Sequence, residues 1–439
     1  MVLFLHNRYR TTGGEERVVE ELLAVVREWM GEPAQLLTRD SSQVGAARAA
    51  AGLLRGGLGA REVAKAVRLT GATVVHAHNL NPLFGWRALA AARAEGARVV
   101  LHLHQYRLVC ANGVCFTEGR ECTRCHGGNT LPGVIHNCRD SRAEALAYGA
   151  SLALWQRRIV GQADAVIVPS VFARERLREL GAPLDWERVH VLAPPVGIDD
   201  GAPGHRHGDP RGESGQSAPA IVSRSDSDDM PTEGFALVVS RLAPEKGVDV
   251  AIEACRLAGV PLVVAGDGPQ MGALRAYARA RAGHPRMQYP HPQVGQESAS
   301  PSTGTGSAQE TLWSAGQDGS EVRFLGRVDD AMLERLRKEA ALAIVPSRSA
   351  ETFGMAAAEA MAAGLPVVAS RVGALPELVE ESALVEPGNP AALAQAIARL
   401  WGDTAAGERG RTRVGELCGP ETVADGLRRI YTGTASSPA

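Results

Sequence analysis

Apolar and polar positions fall in blocks along this chain. Short, uninterrupted apolar runs at 2–5, 74–77, 99–103 and 165–168 are separated by longer stretches with helical spacing. Runs of this length without alternation suit strands covered on both faces, as in parallel sheets wrapped by helices. In 15–30, Val18, Leu22, Val25, Val26 and Trp29 recur at helical spacing and Gly31 follows as a stop. A second series starts at 235–239 and continues at 262–265, 322–325, 342–345 and 366–370. Two successive βα series predict an α/β protein of two doubly wound, Rossmann-like domains.

Polar stretches interrupt the pattern twice. Between 201 and 232 the sequence turns to Gly, Pro, Ser, Asp and His with almost no apolar residue, which reads as a flexible linker. A similar stretch at 283–320, inside the second series, reads as a disordered surface insertion rather than a lid. The expected divisions are 1–200, the linker 201–232, 233–415, and a terminal segment 416–439 that is helical over 420–431.

Composition narrows the classes. A chain of 439 residues exceeds what one core normally serves. A formal net charge of −2 gives no basic field for nucleic acid. With 45% hydrophobic but only 4% aromatic residues, the cores must rely on Ala, Val and Leu. No stretch approaches the ~20 apolar residues that span a bilayer. The start has a short apolar run with no cationic region before it, and reads as a first strand rather than a signal peptide. A cytoplasmic location is expected, with peripheral contact at the inner face of a membrane left open.

The densest chemistry lies at 346–359, PSRSAETFGMAAAE. Glu351 and Glu359 flank a glycine that opens an apolar helix. Were the step between them wholly helical it would span about 12 Å, a length suited to grasping two separated polyols. Between them, backbone N–H groups near Phe353, Gly354 and Met355 begin a helix, where donors and the positive dipole end attract phosphate. The order hydroxyl, diphosphate, hydroxyl is that of a nucleoside diphosphate sugar. Upstream, SRLAPEKG supplies Arg241 and Lys246 beside a proline turn, two cations able to stabilise a departing diphosphate. GDGP at 266–269 ends a further strand.

Together these motifs resemble the carboxy-terminal half of retaining family-four glycosyltransferases (glycosyl transferases group 1), which have the GT-B fold of two Rossmann-like domains facing across a cleft. The resemblance runs the length of the chain apart from the two polar stretches. It implies that Arg241 and Lys246 contact the donor pyrophosphate, Glu351 the hydroxyls of the transferred sugar and Glu359 the ribose. FLGRV, at 324–328, resembles the segment lining the nucleobase pocket and brings in Arg327. The implied reaction moves a hexose to a glycan, lipid-linked or small polyol acceptor, such as a polysaccharide precursor. Anomeric configuration is retained without an obligatory catalytic metal, and the leaving phosphate accepts the acceptor's proton. A terminal helix that crosses back onto the first domain is also implied.

The first domain supplies the other wall. Gly13 and Gly14 sit between the first strand and helix, where missing side chains let a phosphate or acceptor approach the backbone. In the family, a glycine-rich loop there faces the donor diphosphate, and Glu15 and Glu16 become candidate acceptor contacts. His76 and His78, like His102 and His104, have period-two spacing, so each pair shares a sheet face without needing to bind metal. His78 and His104 lie nearest the strand ends where open α/β sheets bind ligands. They match family positions facing acceptor and transferred sugar. Gln105 leaves the general base unassigned.

Five of the seven cysteines lie between Cys110 and Cys138. In a cytosolic chain, a Cys122–Cys125 CxxC pair within such a group reads as metal ligands before disulfides. Cys110, Cys122, Cys125 and Cys138 would form a four-sulfur structural zinc site, with Cys115, His126 and His136 in reserve. Free thiols, redox pairing and an iron–sulfur cluster stay open. Two other functions remain: a sugar-nucleotide epimerase, which also uses two such domains, and a non-catalytic zinc-loop interaction module.

Overall fold

The computed structural model describes residues 1–8, 14–197, 234–281 and 322–433; the expected linker at 201–232, the insertion at 283–320 and Gly13 lie outside the described residues. The amino-terminal lobe contains β1 (Val2–Arg8), β2 (Ala34–Asp40), β3 (Val74–Ala77), β4 (Arg98–His102), β5 (Phe116–Thr117), β6 (Arg120–Glu121), β7 (Ala165–Val168) and β8 (Val189–Val191). Six of them make a parallel sheet in the order β2-β1-β3-β4-β7-β8, while β5 and β6 pair as a separate antiparallel hairpin. The carboxy-terminal lobe contains β9 (Ala236–Val239), β10 (Leu262–Ala265), β11 (Val322–Gly326), β12 (Leu342–Val345), β13 (Val367–Ser370) and β14 (Leu384–Val385). Its sheet, also parallel, has the order β11-β10-β9-β12-β13-β14.

The apolar blocks become central strands because both faces are covered: β3, β7, β10, β12 and β13 are buried at every position. The edge strand β2 is mostly half-exposed. The helix Gly14–Ala24 continues into a π-turn at Val25–Trp29 before Gly31 ends it at φ +67°. Counted within its own lobe, the second sheet reads 3-2-1-4-5-6, so its crossovers reverse between β9 and β12. In open α/β sheets the crevice beyond the strand ends at such a reversal is where ligands bind. The loops leaving β9 and β12 are those carrying Lys246 and Glu351. In the first lobe the reversal lies between β1 and β3, the strands that precede Gly14 and contain His76.

The lobes are closed on each other. Ala350, from the loop after β12, is buried in the amino-terminal core, and Met355 packs against both cores. The Thr352 hydroxyl donates to the His104 carbonyl at 2.8 Å, and Ser170 Oγ donates to the Thr352 carbonyl at 2.7 Å. Glu377 accepts from the N–H groups of Val171 and Phe172 at 3.0 and 2.5 Å, capping an amino-lobe helix from the other lobe. The last described helix, Pro420–Thr432, buries Val423, Ala424, Leu427 and Ile430 against β1 and β4 residues of the amino-terminal core.

Candidate active site

The loop after β12 is locked before any ligand arrives. Its Arg348 N–H donates to the Glu245 carbonyl at 2.8 Å, tying it to the loop after β9. Glu351 O accepts from Ala374 N–H at 2.9 Å, and a Cβ on Gly373 would come within 2.3 Å of the Glu351 backbone, so only glycine permits this approach. Gly354, at φ +106°, turns the chain into the helix Met355–Ala362. The step from Glu351 to Glu359 is therefore not wholly helical: bends at Thr352 and Phe353 come first, because the chain must turn out of the sheet before a helix can start.

Lys246 and Glu351 meet across the reversal point, Nζ donating to Oε1 at 2.6 Å, and Ser347 Oγ donates to the same oxygen at 2.5 Å. Burial pushes the Glu351 carboxyl up, but the Lys246 ammonium and the two hydrogen bonds outweigh it, and the net direction is down. The pair is thus ionised, with both side chains partly open to the cleft. Arg241 is not part of it: its guanidinium pairs with buried Glu245 on its own turn and is half-exposed. Arg327 lies exposed just beyond β11. Phe353 is buried, so its backbone rather than its ring is placed to meet a ligand.

Glu359 has two cationic partners. Arg337 donates to Oε2, and Arg17 from the opposite lobe lies 3.5 Å from Oε1. Arg17 also pairs with Glu21 at 3.1 Å and with Asp330 at 3.5 Å. This charge cluster joins the two lobes at the middle of the helix Met355–Ala362. Burial pushes the Glu21 carboxyl up to about 7 against the pull of Arg17.

The facing wall is built from histidines. Parallel register sets His76 opposite Val100 and Ala77 opposite Leu101, so the period-two pairs fall on one face. Their rings form a stack, with centroids 4.5 Å apart for His76–His78, 5.3 Å for His76–His102 and 4.2 Å for His102–His104. His78 Nδ1 and His104 Nε2 are 2.8 Å apart, His76 Nε2 and His102 Nδ1 3.2 Å, and His76 Nδ1 meets the Tyr431 hydroxyl at 2.7 Å. Burial, reinforced by the neighbouring rings, holds His76, His78 and His102 far below the ordinary histidine range, His76 at about 3. The wall is neutral. Nitrogens of His76, His78 and His102 come within 4.8 Å of one another, close enough to share an ion.

Gly14 opens the helix Gly14–Ala24, and a Cβ there would touch no described residue within 4 Å. Glu15 and Glu16 are buried rather than presented to an acceptor, with oxygens 3.9 and 3.7 Å from the two His6 nitrogens. Gln105 Oε1 accepts from Arg107 Nε at 2.7 Å. Sequence reasoning missed Arg17, Arg337, Ser347 and Thr352: Arg17, Arg337 and Thr352 act through contacts distant in sequence, and Ser347 and Thr352 lie inside the 346–359 motif, where nothing in the spacing singles them out.

Residues 2–195 match the family model described as glycosyl transferase 4-like domain, and 301–403 match that described as glycosyl transferases group 1. Among curated relatives, phosphatidyl-myo-inositol mannosyltransferase of Mycobacterium leprae is 34% identical over 30% of this chain and 37% of its own length. D-inositol 3-phosphate glycosyltransferase of Thermomonospora curvata is 28% identical over 68% of this chain and 65% of its own. The chain thus spans between about a third and two-thirds of the lengths of these relatives. A solved glycosyltransferase from Rickettsia africae aligns over 98% of both chains at TM-score 0.61 and 15% identity. HepE from Anabaena, in complex with UDP and glucose, aligns over 98% of this chain and 99% of its own at TM-score 0.56 and 18% identity. The fold is GT-B. Family matches and fold together support a glycosyltransferase.

Proposed function

We propose that this protein moves a hexose from a nucleoside diphosphate sugar to a glycan, lipid-linked or small polyol acceptor, with retention of anomeric configuration. The observation that carries the reading is the ionised Lys246–Glu351 pair at the reversal point of the carboxy-terminal sheet, next to a helix start and roofed by the other lobe. The UDP and glucose held by the similarly folded Anabaena protein support a donor of this class.

In this reading the diphosphate takes the ammonium of Lys246 and the N–H groups at the start of Met355–Ala362, charges that strengthen as the leaving group becomes more anionic. Arg241, at the rim, exchanges Glu245 for phosphate. Glu351 then accepts from hydroxyls of the transferred sugar. Glu359 keeps Arg337 on one oxygen while a ribose diol replaces Arg17 on the other. Gly14 faces the diphosphate from the opposite side, and Arg327 borders the base. His78 and His104 present neutral imidazoles to sugar and acceptor, and neutrality avoids repelling the positive charge that develops on the ring. No residue is assigned as general base; the leaving phosphate takes the acceptor's proton. Closure excludes water, which would otherwise capture the activated sugar.

A lipid-linked acceptor fits the amino-lobe surface, where Leu131, Ile135, Leu146 and Leu154 are exposed on two packed helices. No helix among the described residues is long and apolar enough to cross a membrane. The test is a thermal-shift panel of nucleotide sugars followed by product analysis. A released nucleoside diphosphate and a new glycoside of unchanged anomeric configuration are expected. Recovery of an epimerised nucleotide sugar, or of an inverted glycoside, would replace this reading.

A further inference from the structure

The cysteine segment is set apart from the rest of the amino lobe by its backbone. Regular structure between 105 and 140 is confined to the two-residue strands β5 and β6 and the five-residue helix Leu131–Ile135. All four non-glycine residues with positive φ among the described residues lie here: Cys115 at 51°, Glu118 at 53°, Asn137 at 47° and Asp140 at 58°. Such conformations are disfavoured for residues other than glycine and persist only where the surroundings over-determine them.

One of the four, Cys115, shares an enclosure with the other cysteines of the segment. Cys110, Cys115, Cys122, Cys125 and Cys138 line a single cavity of ≈ 10 Å³, with His136 also in its wall. Cys110, Cys115 and Cys125 are buried, the other two half-buried, and all five are free thiols. Cys110 and Cys115 hydrogen-bond to each other, and Cys110 Sγ also meets Asn112 Oδ1 at 3.1 Å. Gly133 lets the helix Leu131–Ile135 close over the group: a Cβ there would lie 2.3 Å from Ala111 Cβ and 3.8 Å from Cys125 Sγ.

We propose that this cavity is a closed, structural Zn²⁺ site whose ligands are the thiolates of Cys110, Cys122, Cys125 and Cys138, with Cys115 donating a hydrogen bond to the Cys110 sulfur. The donor set decides the metal class: soft thiolates select zinc, copper(I) or iron–sulfur clusters. The size removes the clusters, and a tetrahedral four-sulfur set favours zinc over copper(I). About one water-sized body fits, which admits one ion but not a cluster of several irons and sulfides. Four thiolates complete a tetrahedron and leave no open position for chemistry, so the ion folds the segment. A hydrogen bond to a ligand sulfur is the usual support around such an ion.

The ion also bears on the cleft. Tyr106, which begins the segment, accepts from Cys110 N–H through its carbonyl at 2.8 Å and donates its own N–H to Gly113 O at 3.0 Å. Two residues earlier, the His104 carbonyl holds Thr352 of the other lobe. Zinc would therefore fix the strand end that carries His104. This inference does not depend on the transfer reading.

The test uses the full chain, purified under reducing conditions without chelator, with elemental analysis for zinc, iron and copper. About one zinc per chain is expected, together with the intense thiolate-to-metal absorption of a four-sulfur site after exchange to cobalt(II). Titrating wild-type protein with an organomercurial in the presence of a zinc-binding dye should release that zinc, a measurement independent of any variant's folding. Cys125→Ser should lose the metal and Cys115→Ser should retain it with weaker affinity. A metal-free wild-type protein, iron with labile sulfide, copper in place of zinc, or a disulfide within this group would overturn the proposal. Full metal loss in Cys115→Ser with retention in Cys122→Ser would overturn the ligand set.

Discussion

The two lobes share a parallel six-stranded sheet yet present opposite electrostatics to the cleft. In the carboxy-terminal lobe, Lys246 and Glu351 bring charge to the reversal point on loops held by backbone bonds and close glycine approaches, and Arg337 and Glu359 add a second ion pair from two helices. In the amino-terminal lobe the corresponding strand ends bear a stack of histidines kept neutral by burial. A charged wall binds anions; a neutral, dry wall accommodates a sugar becoming electron-poor. The same scaffold is divided between holding the leaving group and tolerating the reacting ring.

Removing the charge from one wall should break this division most severely. Lys246→Ala is expected to reduce transfer by at least ~10²-fold, the scale of losing one electrostatic stabiliser of the developing charge. Because it leaves the Glu351 carboxylate uncompensated, some stability is lost as well. Lys246→Ala/Glu351→Gln should recover that stability, read as Tm, without recovering turnover. If the double variant regained activity, the ammonium would be only a structural partner.

The cluster at Glu359 sharpens the comparison through pH. Glu21 has its folded pKa raised from 4.5 to about 7, so the folded state binds more protons than the unfolded state between those values. Stability should then fall as pH rises from about 4.5 to about 7, by up to about 3 kcal/mol, and level off above. Glu21→Gln should flatten that slope in urea titrations; an unchanged slope would remove Glu21 as its source.

On the neutral wall, His104→Lys would install a charge where the account requires none. Turnover is expected to drop roughly 10-fold or more, with a smaller effect for His104→Gln, which keeps a neutral hydrogen-bonding group. Equal effects would show that size rather than charge matters there. The smallest change concerns the seam. Ser170 Oγ accepts from Ala173 N–H at 2.9 Å while donating across to Thr352, so Ser170→Ala should cost about 1 kcal/mol of stability. A change below a few tenths would mean that water replaces the cap.

Much of the fold was legible because its central strands are covered on both faces, leaving unbroken apolar runs such as 165–168 and 262–265. The edges were less so. β2, reading AQLLTRD, and the short β8, reading VHV, mix polar with apolar residues because one side faces solvent, and β14 is only two residues long. The Lys246–Glu351 meeting was implied by two motifs that follow neighbouring strands. The Arg17–Glu359 contact was not, since an arginine on a helix carries no mark of the lobe it will reach. Likewise, the family resemblance made Glu15 and Glu16 candidate acceptor contacts but gave no sign that both would be buried beside His6. The cysteine spacing foretold a cluster. Cys115, held in reserve on spacing alone, lines the same cavity through a left-handed turn at that residue.

The most direct test of the central claim is calorimetric titration of UDP and GDP into wild-type protein and into the Lys246→Ala variant, with folding of both checked by circular dichroism. The account predicts that the wild type binds at least one of these diphosphates and that the variant, still folded, binds it at least ~10-fold more weakly. Equal affinity in the two proteins, or no binding of either diphosphate by the wild type, would contradict it.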